Sequence, residues 1–185
     1  MEKDFYRILS QFFNDSERLD FDFELEKKCA EWRGYYIQGM VHIEELMELV
    51  ISQHFVKDHL IENFTASVLC KENFTLHFKL EVIAFIIRNE LPSFIEDKTG
   101  ATYLEDMENA ITLRNDFAHR KFFSIDAIDS REIILHTTTS KRGKIKTKRV
   151  ELTQNIMFEY MKKLINLYVL TSMLGANLKG KREKK

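Results

Sequence analysis

Apolar residues recur at helical spacing along most of the chain. Phe5, Ile8, Leu9, Phe12 and Phe13 predict a short amphipathic helix that stops near Asn14-Asp15-Ser16. A much longer periodic segment follows from about Phe23 to Phe55, marked by Leu25, Cys29, Trp32, Tyr36, Met40, Ile43, Met47 and Val50, with Gly34 and Gly39 as places where it could bend. A third helix is expected over about Asp58 to Cys70. A fourth runs from Thr75 through Phe78, Val82, Phe85 and Ile86 to a stop before Pro92, because proline cannot continue a helix.

The next helix is predicted to start at Thr102, whose hydroxyl can cap the first free amides while Glu105 reaches back as a capping box, and to continue to about His119 or Lys121. The pattern then changes. Arg131 to Thr139 and Lys144 to Leu152 are rich in Ile, Thr and Val with partial alternation, and Ser140 to Gly143 reads as a turn, so one β-hairpin is expected over about residues 131–152. A last amphipathic helix starts at Thr153, carries Met157, Tyr160, Met161, Leu164, Leu167 and Tyr168, and is expected to end where Gly175 takes a left-handed cap. Lys179 to Lys185 holds no core-forming residue and reads as a basic flexible tail. The expectation is one all-α domain over residues 1–178, a helical bundle with a small β-hairpin inserted before its last helix.

Composition narrows the class. The 185 residues are 44% hydrophobic with 6 Gly and 1 Pro, enough for one sizeable core and little that could serve as a linker. The longest apolar run, Val82 to Ile87, is far short of the roughly 20 residues of a membrane span. The chain opens Met-Glu-Lys-Asp, so a cytoplasmic protein without a membrane anchor is expected. Cys29 and Cys70 lie far apart in apolar helical settings and read as buried thiols. Neither they nor His42, His54, His59, His77 and His136 show metal-ligand spacing, and no metal or cofactor is expected. Charge is unevenly spread: residues 1–60 carry 7 basic and 13 acidic groups, 61–119 carry 5 and 10, and 120–185 carry 16 and 6. A basic last third on an acidic chain points to a localised anion-binding face, although solvated lysines give the same count.

One segment carries candidate chemistry. On a helical wheel of about 100° per residue, Leu104, Met107, Ala110, Ile111, Leu113, Phe117 and Ala118 form a continuous apolar arc, with Arg114 near its middle. A guanidinium stays charged in proteins, so one that faces inward needs a partner. Asn115 and His119 lie one turn apart at the edge of the arc, so the three polar groups can border one cleft. A permanent cation, an imidazole that titrates near neutrality and an orienting amide suit a phosphate-bearing substrate. In metal-free RNA cleavage a base takes the ribose 2'-hydroxyl proton, the oxygen attacks the adjacent phosphorus, and a cation steadies the added negative charge. Equally, Arg114 could be a structural residue paired with a buried carboxylate such as Glu44 or Glu45.

The string Arg114-Asn115-Asp116-Phe117-Ala118-His119 resembles the motif of the HEPN superfamily, an arginine followed by a polar residue and, a few positions on, a histidine. Gly39 to Glu48 is similar to the second long helix of that family and of its mannitol operon repressor-like relatives, and Phe74 to Leu80 to the opening of a later helix; the likeness runs loosely from about residue 25 to 175. The resemblance implies an up-and-down helical bundle that forms a homodimer through the motif helix, with Arg114 and His119 of both copies lining one cleft. It further implies a metal-independent endoribonuclease, of the toxin or defence-effector kind, in which Arg114 stabilises the phosphorane, His119 is acid or base and Asn115 orients one of them. RNA is then the substrate, and an antitoxin or regulatory protein a possible partner. The repressor-like relatives imply instead a non-catalytic regulator or binding module. One toxin branch has a tyrosine, the target of its antitoxin, two positions after the histidine; here that position is Lys121, a departure that puts this route of control in doubt.

The expected hairpin adds Lys141, Arg142, Lys144, Lys146, Lys148 and Arg149 within nine residues. Alternation puts Lys144, Lys146 and Lys148 on one face of the second strand, a ribbon of cations able to hold an RNA backbone. An edge strand protected from aggregation by lysines has the same pattern. No aromatic residue is interleaved, so base stacking has no support there.

Overall fold

The computed structural model describes residues 23–96, 100–119, 132–141 and 144–182; for 23–26, 28, 29, 119, 132–141 and 144–154 it describes the backbone alone. The predicted helix at Phe5 to Phe13 lies outside these residues, as does Arg142. Six α-helices are present among the described residues: α1 (Phe23–Phe55), α2 (Ile61–Phe64), α3 (Leu76–Glu90), α4 (Pro92–Glu96), α5 (Tyr103–His119) and α6 (Gln154–Arg182). Between α5 and α6 the backbone forms two antiparallel strands, β1 (Glu132–Lys141) and β2 (Lys144–Thr153), in register from Glu132↔Thr153 to Lys141↔Lys144.

Tyr36, Met40, Ile43, Met47, Val50 and Ile51 repeat every three or four residues, and all are buried, so one face of α1 is the spine of the core. Against it α6 lays Met157, Leu164, Leu167, Leu170, Leu174 and Leu178. The two long helices run parallel: Tyr36 meets Tyr160 at one end, with ring centroids 6.3 Å apart, and Arg182 donates to the Val56 carbonyl at the other, 3.0 Å. α5 runs against both. Its first residue, Tyr103, meets Thr171 of α6, whereas Phe117 near its end packs edge-on against Tyr36 at 5.1 Å.

Local chemistry sets the helix ends. The Thr75 hydroxyl accepts from the Phe78 amide at 3.2 Å and caps α3, which ends before Pro92, itself the first residue of α4. Thr102 does not form the expected capping box: its hydroxyl donates to the Asp106 carboxylate at 2.9 Å, and Glu105 is exposed. The segment expected as one helix from Asp58 to Cys70 is a 3₁₀ turn (Asp58–Leu60), α2 and a π-helical turn (Thr65–Leu69), in which the Cys70 amide reaches back five residues to the Thr65 carbonyl. Cys70, expected to be buried, is exposed where this turn ends.

α6 passes straight through Gly175 and ends at Arg182, so Lys179 to Arg182 is helix in place of the expected tail. Gly175 serves close approach and not termination, since a Cβ there would lie 3.3 Å from Val50 Cγ2 of α1. The final turn is tied down because Arg182 also donates to the His54 carbonyl and Lys181 to the Glu90 carbonyl. Gly100 has a stricter role: a Cβ at this position would collide with the Phe94 carbonyl oxygen. Backbone must move to admit it. Gly100→Ala is therefore expected to cost roughly 2 kcal/mol, read as a lowered urea midpoint with an unchanged slope.

Candidate functional site

Arg114 and Asn115 stand on the last turns of α5, whose carboxyl end is anchored from α1. Arg33 donates through Nε to the Phe117 carbonyl at 2.8 Å and through Nη2 to the same oxygen, which fixes the backbone beside the motif. The Phe117 ring, wedged against Tyr36, sets the rotation of the helix about its axis. Burial, and after it the charge of Tyr160, pushes the Tyr36 phenol well above its ordinary range, so it is a neutral packing group.

With α5 so held, Arg114 is half-buried and lines a cavity of about 460 Å³, within the usual range of roughly 300–1,000 Å³ for small-ligand sites. Its Nη1 donates to Asn115 Oδ1 at 3.2 Å. Among the described residues no carboxylate is paired with it. Glu44 and Glu45, the partners weighed for a structural role, are engaged elsewhere: Glu44 accepts from Lys79, and Glu45 Oε2 lies 3.2 Å from His42. Asn115 is exposed and lines the same cavity. His119 is the last residue of α5, and its side chain lies outside the described residues.

A second cation of this cavity escaped the sequence reading. Lys79 lies in the first turn and a half of α3 with 3% of its side chain exposed, and its Nζ is 2.5 Å from both Glu44 Oε1 and Glu48 Oε1. Burial alone would lower the lysine pKa, but the hydrogen bonds and charges of the two carboxylates outweigh it and hold the ammonium above its ordinary range. Two carboxylates against one ammonium leave a single negative charge in the cavity wall, beside the positive charge of Arg114. Lys79 shares the inner face of α3 with Ile83 and Ile86, and a charge inside an apolar stripe is the signal that marks it.

His77 and Lys71 also line the cavity, at the amino-terminal end of α3. The backbone of β1 and β2 puts positions 144, 146 and 148 on one face of β2, across from 141, 139 and 137. The side chains of Lys141, Lys144, Lys146 and Lys148 lie outside the described residues. Among the described residues no group of His, Cys, Asp or Glu is arranged as a metal site, and no helix is long and apolar enough to cross a membrane.

Comparison of the chain with protein-family models, with curated proteins and with solved structures gives no match.

Proposed function

We propose that the chain is a HEPN-like, metal-independent endoribonuclease that acts as a homodimer. The observation that supports this most is the state of Arg114, a permanent cation on a rigid helix, open to a cavity and steadied by Asn115, with no carboxylate in direct ion pair with it among the described residues. In this reading a base, His119 of one copy, takes the proton from a ribose 2'-oxygen, which attacks the neighbouring phosphorus. Arg114 holds the added negative charge, and the departing 5'-oxygen takes a proton from the second His119. The products are a 2',3'-cyclic phosphate and a 5'-hydroxyl. The lysines of β1 and β2 hold the flanking RNA, so binding weakens with salt.

Purified wild-type protein and His119→Ala are incubated with total RNA in excess EDTA, and the fragment ends are analysed. Cleavage by wild type alone, leaving 2',3'-cyclic phosphates, is the expected outcome; intact RNA in both overturns the reading. The outer side of α5 offers Glu105, Glu108, Asn109, Thr112 and Asn115, so contact through the motif helix is polar and wet. Light scattering across protein concentration is expected to give a dimer mass, and a monomer at assay concentration removes the composite site.

A second reading, a non-catalytic HEPN-like regulator or binding module, is favoured by a different observation. Phe158, Ile165, Tyr168, Val169 and Met173 are exposed along α6. A stripe of this kind marks an interaction surface more often than a solvated one.

A further inference from the structure

Lys79 engages only one oxygen of each of its carboxylates. Glu44 Oε2 has no hydrogen-bond partner among the described residues, and Glu48 Oε2 meets only the Cys70 thiol, at 3.9 Å. The two glutamates stand one turn apart on α1, and the shared ammonium fixes both rotamers. The cavity thus presents two immobilised carboxylate oxygens that, among the described residues, have no protein donor other than the Cys70 thiol and are free to accept from a ligand. Phe74, Leu76 and Ile111 line the same space and are apolar. Apolar walls with charged acceptors in the same space fit a ring that has apolar faces and an N–H-bearing rim.

Among biological rings that travel with a phosphate, nucleobases meet this description. Adenine, cytosine and guanine carry an exocyclic amino group, and guanine adds a ring N–H beside it. Uracil sets two carbonyl oxygens around its single N–H, and those oxygens are repelled by carboxylates. We infer that the cavity is a base-selective nucleotide site: Arg114 takes the phosphate, Glu44 and Glu48 accept from an amino-bearing base, and Lys79 is the positioning residue that aims them. This rests on the proposed role of Arg114 as a phosphate group's partner and adds to it the identity of the base.

The test measures binding of the 3'-monophosphates of adenosine, cytidine, guanosine, uridine and purine riboside to the full chain by titration calorimetry. Wild type is expected to bind the first three about 10- to 100-fold more tightly than uridine monophosphate, the range of one to two lost hydrogen bonds to a charged group. Purine riboside monophosphate, which lacks the amino group, is expected to fall to the uridine level. Glu44→Gln is expected to narrow the preference, because Lys79 keeps the amide oxygen and leaves an NH2 donor toward the base, while Glu48 still accepts. The wild-type series alone decides the matter if that variant fails to fold. Equal affinity for all five, or binding of none at millimolar concentration, overturns the inference. RNA cleavage without base preference would leave the endoribonuclease reading standing alone, and base-dependent binding without cleavage would do the reverse.

Discussion

Arg114→Ala is expected to abolish RNA cleavage while its thermal transition stays within about 2 °C of wild type, the range of a substitution that breaks no buried network. The two halves of this result separate the readings of the arginine. A structural arginine in an ion pair with Glu44 would leave a buried carboxylate unpaired when removed, and the protein would melt early. Here Glu44 is held by Lys79, and the Arg114 guanidinium has the exposed Asn115 amide as its side-chain partner. Loss of a cation that stabilises developing phosphorane charge costs on the order of 10²- to 10³-fold or more in rate, by analogy with the loss of a single oxyanion donor. Arg114→Lys keeps the charge without the planar fork and is expected to recover only part of the activity. Cleavage at wild-type rate by Arg114→Ala would remove the chemical role, and a large loss of stability would restore the structural one.

Much of the helical scaffold is legible because its signals are local. α1 shows its extent through an apolar period sustained over 33 residues, and α3 through the Thr75 cap at one end and Pro92 at the other. Misplaced elements are those whose local signal has a tertiary use. Gly175 looks like a helix cap, yet its missing Cβ lets Val50 of α1 approach, and the segment with Lys181 and Arg182 looks like a tail because the partners of these two are carbonyl groups at the ends of α3 and α1. Cys70 has an apolar neighbourhood in sequence, but the π-helical turn before it rotates it outward. At the site, the wheel of α5 puts Arg114 in the apolar arc, and only tertiary packing reveals that a cavity opens there. The same wheel applied to α3 would have exposed Lys79.

Lys79→Met should be the most destabilising single change at the site, by about 3–5 kcal/mol, because it leaves Glu44 and Glu48 charged, largely buried and without their shared donor. For a chain of this size that corresponds to a thermal transition on the order of 10 °C lower. The triad is a weak source of net stability even so. Replacing all three members with apolar residues of similar volume is expected to restore most of the loss, since the desolvation of the ions disappears together with their attraction. The pH dependence follows from the raised lysine pKa. A group that binds its proton more tightly when folded contributes stability fully below its unfolded pKa, here the ordinary 10.5, and loses it as pH rises through the higher folded value. The stability gap between wild type and Lys79→Met is therefore expected to be constant from neutral pH to about pH 10 and to close above it. Tyr103, whose phenol burial pushes up to about 12, titrates in the same alkaline window with the same sign, but it is common to both proteins and cancels in the difference. Urea titrations of the pair at pH 7, 9, 10 and 11 measure the gap directly. A gap that grew with alkalinity would mean that the ammonium is not what holds the two carboxylates in place.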